Sequence, residues 1–171
     1  MTLRHALVGL LLGFGLLGCD TDKSEHGTVG LSAGSASPSL SLFDLNGNQR
    51  TLSEWQGKVL LVNFWATWCA PCRAEIPGFI AVRERYRDQA FEVIGVAVDR
   101  PDYVKEYATE LAIPYPILLD YIDGGSSLAP WGNPQGVLPY SVLLDRNGRV
   151  ALTHLGEFSS QQLQAQLDAL L

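Results

Sequence analysis

The sequence predicts an α/β domain built on a central mixed sheet that is flanked by helices, with an added N-terminal β-hairpin. Apolar runs of strand length alternate with amphipathic segments of helix length, which favours parallel strands joined by helices. Two Asn-Gly pairs, at residues 46–47 and 147–148, separate short apolar segments, as is typical of antiparallel hairpins. The 171 residues, 47% of them apolar, suffice for one buried core and are few for two domains.

The predicted domain opens with a hairpin over residues 38–51, which a buried strand follows. Leu40, Leu42 and Leu45 lead into the first Asn-Gly turn of this hairpin. Residues 59–65 form a nearly continuous apolar run with β-branched and aromatic members, which is typical of a strand covered on both faces. We therefore expect this strand at the centre of the sheet.

The middle of the chain predicts helices and strands in alternation. A long helix is expected over residues 72 to about 88, kinked or restarted at Pro77 because proline interrupts helical hydrogen bonding. A strand, a helix and a shorter strand are then expected over residues 91–99, 102–111 and 115–119. This order predicts that the strands pair in parallel.

The end of the chain predicts a second hairpin and a closing helix. Apolar runs over residues 140–144 and 149–154 flank the second Asn-Gly turn. Leucines recur at helical spacing over residues 159–171, which indicates an amphipathic helix. Ser159 or Ser160 is suited to cap it.

Residues 1–18 have the pattern of a lipoprotein signal peptide. A positive charge precedes an apolar run over residues 6–17, which is too short to cross a bilayer as a helix. The run ends at Leu17-Gly18-Cys19, which resembles the lipobox of bacterial lipoproteins and implies a diacylglycerol group on the Cys19 sulfur. The alternative is an ordinary cleaved signal, which would leave Cys19 as an unpaired thiol.

Residues 19–37 are rich in Ser, Gly and Ala, and they cannot bury enough apolar surface to fold alone. They are predicted to be a lipid-anchored flexible tether for a domain over residues 38–171. Asp20, directly after Cys19, resembles the signal that retains enterobacterial lipoproteins in the inner membrane. We therefore expect the domain at the periplasmic side of that membrane. The formal net charge of −6 argues against nucleic acid as a partner.

Cys69 and Cys72 form a Cys-x-x-Cys pair between the buried strand and the long helix. A zinc site would need two more ligands, and the histidines beyond the signal peptide, His26 and His154, lie in the tether and in a predicted strand. A structural crosslink over so short a loop would remove little entropy from the unfolded chain. A redox pair that forms a Cys69–Cys72 disulfide is therefore predicted, without metal or cofactor.

The position of the pair assigns a role to each sulfur. Cys69 is expected to be the exposed nucleophile, because the unpaired N–H groups at a helix start favour a thiolate. Cys72, one turn inside the helix, is expected to be the shielded resolving thiol. Pro71 suits the first helical turn, where its missing N–H has no helical partner, and it stiffens the approach of the two sulfurs.

Residues 62–77 read Val-Asn-Phe-Trp-Ala-Thr-Trp-Cys-Ala-Pro-Cys-Arg-Ala-Glu-Ile-Pro and resemble the thioredoxin superfamily, specifically its TlpA/ResA-like branch. The resemblance covers residues 38–171 and implies a thioredoxin-like fold with thiol:disulfide oxidoreductase activity. Asn63 stands where thioredoxin has a buried aspartate, and this branch commonly has asparagine there. Trp68 matches the tryptophan that shields and frames the site in the family.

Two further site residues are implied by the resemblance. Glu75 matches the glutamate of the branch, and helical spacing places it one turn from Cys72 as a candidate proton acceptor; the alternative is a solvated charge on the helix surface. Leu138-Pro139 resembles the cis-proline loop, in which the proline faces the cysteines and the backbone of the preceding residue pairs with substrate. The alternative for Pro139 is an ordinary strand-entry proline.

The favoured function is that of an extracytoplasmic reductase of disulfides in other exported proteins, including apocytochrome c, with electrons from a membrane donor of the DsbD or CcdA type. Ala70-Pro71 is closer to the Gly-Pro of thioredoxin than to the Pro-His of strong oxidants, which favours reduction. A disulfide-introducing oxidant, a non-catalytic adaptor and a peroxiredoxin-like peroxide reductase are the alternatives, the last because residues 44–58 also resemble that family. The segment 120–136 either connects two strands or shapes a partner groove.

Overall fold

A computed structural model describes residues 31–120 and 127–171 of the chain. The predicted signal peptide, Cys19 and most of the predicted tether lie outside the described residues, as do residues 121–126 of the segment before the second hairpin. No helix in the described part of the chain is long and apolar enough to cross a membrane.

The predicted elements are confirmed in type and order. The strands are β1 (Ser41–Asp44), β2 (Gln49–Thr51), β3 (Val59–Trp65), β4 (Phe91–Ala97), β5 (Ile117–Leu119), β6 (Tyr140–Leu144) and β7 (Val150–Leu155). The helices are α1 (Ala70–Arg85), α2 (Pro101–Glu110) and α3 (Ser160–Leu167), and Ser159 caps α3. Helix α1 starts two residues earlier than expected and continues through Pro77 without a break.

The strands form one mixed sheet in the order β2-β1-β5-β4-β3-β6-β7. Strands β3, β4 and β5 pair in parallel, whereas β6 runs antiparallel to β3. The hairpin β1–β2 extends the sheet at one edge through antiparallel pairing of β1 with β5, and β6–β7 forms the other edge. All seven residues of β3 are buried, which confirms its predicted place inside the sheet.

The two faces of the sheet are covered differently. Helices α1, α2 and α3 all bury apolar side chains in one cluster, to which β3 contributes Leu61 and Trp65. The alternate β3 residues Val62 and Phe64 face the second cluster, which is closed by chain outside the three α-helices, including Trp131 and the short 3-10 helix Leu52–Trp55. The cysteine pair belongs to the helix-covered face.

Residues 31–37, which composition assigned to the flexible tether, contact the folded domain. The Gly34 N–H donates to the Val150 carbonyl at 2.7 Å, and the Val150 N–H donates to the Ser35 carbonyl at 2.9 Å. The packed part of the chain therefore begins before residue 38. Composition missed this contact because backbone pairing does not require the large apolar side chains whose scarcity predicted a tether.

Candidate active site

Strand β3 leads directly into the turn that carries the two cysteines. Cys69 is the N-cap residue of α1, and its sulfur accepts a hydrogen bond from the Cys72 N–H at 3.3 Å. The two sulfurs form a disulfide, with the Cα atoms 5.3 Å apart. Cys69 is only 5% exposed and Cys72 is fully buried. The order of exposure is as predicted, but Cys69 is more buried than expected because its sulfur turns inward to Cys72 and the helix.

Asp99 holds the turn before the cysteines, and sequence reasoning missed it. Its carboxylate accepts hydrogen bonds from the Thr67 N–H at 2.9 Å and from the Thr67 hydroxyl. The Cys69 N–H donates to the Ala66 carbonyl at 3.2 Å and closes the same turn. Asp99 follows β4, the parallel neighbour of β3, so the two strand ends lie side by side. An acidic residue just past the neighbouring strand was the signal that could have identified it.

Pro71 and Trp68 lie on either side of Cys69 in the chain. Pro71 occupies the first turn of α1, where its missing N–H leaves no helical bond unmade. Trp68 is 69% exposed, so most of its indole surface is open to solvent next to the disulfide. A large exposed aromatic side chain at this place offers apolar area to a protein that approaches Cys69.

The Leu138–Pro139 peptide bond is cis, as the resemblance implied. Tyr140 pairs with Phe64 in the ladder between β6 and β3, so Pro139 lies level with Trp65. This is the end of β3 that leads to the cysteines. Leu138 is partly buried and packs against both apolar clusters. The cis-proline loop and the cysteine turn therefore share one edge of the sheet.

Glu75 is buried one helical turn after Cys72, with 3% of its surface exposed. Its Oε1 accepts a hydrogen bond from Asn63 Nδ2 at 2.7 Å, and its Oε2 accepts one from the Phe158 N–H at 2.9 Å. The alternative of a solvated charge on the helix surface is therefore wrong. The side chain points into the helix-covered layer that also holds the cysteines.

Burial raises the pKa of Glu75 to about 7, and the nearby charge of Glu157 adds to this increase. The hydrogen bonds from Phe158 and Asn63 act in the opposite direction, because they stabilise the carboxylate. A carboxyl group with a pKa near neutrality exchanges a proton readily in both directions at neutral pH. The arrangement can therefore take up and release a proton beside the cysteine pair.

Asn63 also connects Glu75 to a residue that sequence reasoning did not identify. Asn63 Nδ2 donates a second hydrogen bond to Ser141 Oγ at 3.0 Å, and both side chains are buried. The two residues lie directly opposite each other in the ladder between β3 and β6. Within the described residues, no donor reaches Asn63 Oδ1. Asn63 and Ser141 are each a polar residue inside an otherwise apolar strand, and this pattern was the sequence signal for a buried polar pair.

Comparisons with known proteins agree with this geometry. A model of the Redoxin family matches residues 32–171. The thiol-disulfide oxidoreductase ResA of Geobacillus thermodenitrificans is 31% identical over 141 residues, which cover 82% of this chain and 79% of that protein. The structure of a protein from Chlorobium tepidum described as thiol:disulfide interchange protein DsbE matches with a TM-score of 0.73 at 28% identity. The match covers 81% of this chain and 97% of that protein's chain. A DsbF homologue from Corynebacterium diphtheriae matches with a TM-score of 0.71 at 27% identity, over 79% of this chain and 86% of that protein's chain.

Proposed function

Because the chain belongs to the Redoxin family and is a ResA-like thiol-disulfide oxidoreductase of the thioredoxin superfamily, we propose that it reduces disulfides in other exported proteins at the periplasmic side of the bacterial inner membrane. The observation that carries the proposal is the Cys69–Cys72 disulfide at the N-terminus of α1, one helical turn from buried Glu75. Unpaired N–H groups at a helix start stabilise a thiolate, which is the attacking species in disulfide exchange.

Reduction proceeds through one mixed disulfide. In the reduced protein the Cys69 thiolate attacks one sulfur of the substrate disulfide, and the other substrate sulfur leaves as a thiolate. The Cys72 thiolate then attacks the Cys69 sulfur, which releases the second substrate sulfur and leaves the Cys69–Cys72 disulfide. Two electrons thus pass to the substrate, and solvent protons convert its two thiolates to thiols.

Glu75 handles the proton of the Cys72 thiol in this proposal. A fully buried thiol cannot pass its proton directly to water, and Glu75 lies one turn further along the same helix face. Its carboxylate takes the proton when Cys72 becomes a thiolate and returns it when the pair is reduced again. The pKa of about 7 suits both steps at neutral pH.

The surface around the disulfide supports a protein substrate. The cis Leu138–Pro139 bond lies at the same sheet edge as the cysteine turn, and the backbone of Leu138 is the proposed pairing site for an extended substrate segment. Trp68 supplies exposed apolar area beside Cys69. An oxidised Cys-x-x-Cys-His segment of apocytochrome c is the proposed substrate among exported proteins.

Membrane attachment and electron supply complete the proposal. The lipobox-like sequence before Cys19 supports a lipid anchor on that sulfur. A reductase outside the cytoplasm needs electrons from within, so a membrane donor of the DsbD or CcdA type is the proposed partner. Ala70-Pro71 between the cysteines supports reduction over disulfide introduction, because it is closer to Gly-Pro than to Pro-His.

Trapping of the mixed disulfide tests the reductase chemistry. In Cys72→Ser, the resolving thiol is absent, so substrates should remain linked to Cys69 in membranes of the native host and appear after reduction as free exported proteins. Cys69→Ser/Cys72→Ser is the matched control and should trap none. If Cys72→Ser captures no exported protein, or if Cys69→Ser leaves oxidised exported proteins at their normal level, the proposed function is wrong.

Three further measurements test the substrate, the direction of electron flow and the peroxide-reductase alternative. The reduced chain should reduce a peptide with an oxidised Cys-x-x-Cys-His segment faster than a peptide of equal length with an unrelated disulfide. A reduction potential nearer to about −120 mV, as in DsbA, than to about −270 mV, as in thioredoxin, would instead assign an oxidant. Consumption of hydrogen peroxide at a rate above that of disulfide reduction would assign a peroxide reductase.

The anchor has its own test. Cells that express the chain should incorporate labelled fatty acid into it, and Cys19→Ala should abolish the label and release the domain from the membrane fraction. Cys69→Ala is the control and should retain the label. Equal labelling of both variants would contradict lipidation at Cys19.

A further inference from the structure

The hydrogen bonds around Glu75 are those of an ionised carboxyl group, because each oxygen accepts one. Both carboxyl oxygens accept: Oε1 from Asn63 Nδ2 at 2.7 Å and Oε2 from the Phe158 N–H at 2.9 Å. A protonated carboxyl group has an O–H that must donate instead. A proton added to Glu75 on the side of either partner would therefore place a donor against a donor in a buried site. This is unfavourable unless that partner presents an acceptor instead.

The two hydrogen-bond partners of Glu75 differ in whether they can present an acceptor in place of a donor. The Phe158 N–H belongs to the backbone and can only donate, so the proton on Glu75 must go to Oε1, which faces Asn63. The Asn63 side chain is an amide whose oxygen and nitrogen exchange places when it turns by half a rotation about its last bond. Within the described residues its Oδ1 receives no hydrogen bond, so no bond to that oxygen has to break.

We propose that Asn63 and Ser141 are positioning residues that follow the proton on Glu75. When Glu75 is ionised, Asn63 Nδ2 donates to Glu75 Oε1 and to Ser141 Oγ, as observed. When Glu75 is protonated, the Asn63 amide turns and its Oδ1 accepts from the Glu75 O–H. The proton then lies on Oε1, and no other atom changes its covalent partner. The inference rests on the proposed proton-handling role of Glu75.

Ser141 keeps its hydrogen bond to Asn63 in both states, because a hydroxyl both accepts and donates. It accepts from Asn63 Nδ2 in the observed state, and after the turn it donates to Asn63 Oδ1. Residues 63 and 141 face each other in the ladder between β3 and β6, so the exchange needs no backbone movement. An apolar residue at either position would remove this adaptability and leave the carboxyl group matched to one protonation state.

Other titratable groups face the same site and must be separated from it in a test. Glu157, before α3, adds to the raised pKa of Glu75, and Tyr115, before β5, interacts electrostatically with Glu75. His154 stacks on Phe158 with ring centroids 4.5 Å apart. The disulfide at the start of α1 does not titrate. A direct signal from the Glu75 carboxyl carbon is therefore needed to assign any transition to this residue.

Nuclear magnetic resonance of the oxidised full chain tests the turn without any variant. The Glu75 carboxyl carbon reports its protonation, and nuclear Overhauser effects between the Asn63 amide protons and the Ser141 Hβ protons report the amide orientation. We expect these effects well above the Glu75 midpoint and their loss well below it, with a transition that follows the Glu75 signal. Retention of the effects on both sides of the midpoint would overturn the inference.

Glu75→Gln gives a second, independent test. Its amide oxygen must face the Phe158 N–H, so its NH₂ faces Asn63 and mimics the protonated acid. The Asn63 amide should therefore stay turned, and its effects to Ser141 Hβ should be absent at every pH. Their presence in this variant would contradict the proposed exchange.

Rates of substrate reduction separate this inference from the proposed function. Ser141→Ala should lower the maximal rate roughly threefold to tenfold, the effect of one hydrogen bond, with little change in KM, and should flatten the pH profile around neutrality. Ser141→Thr keeps the hydroxyl and should restore the profile. If Glu75→Gln leaves the rate unchanged, the proposed role of Glu75 is wrong. If only Glu75→Gln slows the reaction and Ser141→Ala does not, that role stands and the present inference fails.

Discussion

Two buried glutamates, Glu75 on α1 and Glu92 on β4, differ in the partners that bind their carboxyl groups. Glu75 is 3% exposed and Glu92 is 7% exposed. Glu92, on β4, meets the guanidinium of Arg83 through both carboxyl oxygens, and Lys58 Nζ lies 3.9 Å from it. The hydrogen bonds to Glu75 come from neutral donors, the Asn63 amide and a backbone N–H.

Under the proposed function, the same residue type serves stability at Glu92 and chemistry at Glu75. The Arg83 guanidinium binds both carboxyl oxygens of Glu92 in an ion pair that ties α1 to β4. Neutral donors orient the Glu75 carboxyl group but do not cancel its charge, so burial dominates and raises its pKa to about 7. The chain gives up some stability at Glu75 and obtains a group that exchanges protons near neutral pH.

Activity should separate the two glutamates most strongly. Glu75→Gln should lower the rate of disulfide reduction at about pH 7 by roughly 100-fold, the lower end of what a positioned proton acceptor contributes. Glu92→Gln should stay within about twofold, because it removes a charge far from the proton path. Stopped-flow kinetics with an oxidised peptide substrate measures both. Equal losses in the two variants would contradict the different roles assigned to the two glutamates.

The dependence of stability on pH should be the next largest difference. The pKa of Glu75 rises from its usual 4.5 to about 7 in the folded chain, so the folded state binds more protons between these values. Stability should therefore fall as pH rises through this window, by about 3 kcal/mol, and stay level above it. Urea unfolding of the oxidised chain across this range measures the slope. Glu75→Gln should remove that contribution and Glu92→Gln should retain it; a slope of the opposite sign in the wild type relative to Glu75→Gln would contradict the assignment.

Removal of the cation beside Glu92 should have a smaller effect on stability and little on activity. Arg83→Met keeps most of the side-chain stem but leaves the buried Glu92 carboxyl group with Lys58 as its one remaining described cationic partner. It should lower the free energy of unfolding by about 1–3 kcal/mol. Arg87→Met, which removes an exposed arginine paired with Glu84, is the matched control and should change it by less than about 0.5 kcal/mol. Equal urea midpoints for the two variants would disprove a structural role for the Arg83–Glu92 pair.

The weakest of these effects is expected at Lys58. Its Nζ lies 3.9 Å from Glu92, and its side chain is more exposed than that of Arg83. Lys58→Met should therefore lower the free energy of unfolding by less than about 0.5 kcal/mol. A double-mutant cycle with Glu92→Gln measures the coupling between the two side chains. A coupling as large as that of Arg83 would mean that both cations share the carboxylate equally.

Local patterns predicted most elements of the fold. The apolar run of β3 and the turn residues of both hairpins act over a few neighbouring positions, so their sequence signals are complete within a short window. The same holds for Cys69, Pro71 and Cys72, whose spacing follows from one helical turn. Helix α1 starts two residues before the apolar pattern because Cys69 is its N-cap, with a sulfur that accepts a hydrogen bond from the Cys72 N–H.

Contacts between distant parts of the chain were not predictable in this way. Ser141 lies 78 positions from Asn63, and Phe158 lies 83 positions from Glu75, yet both complete the hydrogen bonds of the site. Asp99 reaches Thr67 only because β4 is the parallel neighbour of β3. Each of these residues has a polar side chain or N–H group whose partner depends on how distant strands and helices pack together.

The sequence by itself determined the element order, the cysteine pair and the position of a glutamate one turn behind it, because these depend on spacing along one strand and one helix. The tertiary structure decided the burial and the hydrogen-bond partners of that glutamate. Strand order brought Ser141 beside Asn63, and the packing of α3 against α1 brought the chain before α3 onto Glu75. Together these contacts removed the carboxyl group from water. Burial among neutral donors, which no local pattern specifies, turned a helix-face charge into a proton-exchanging group.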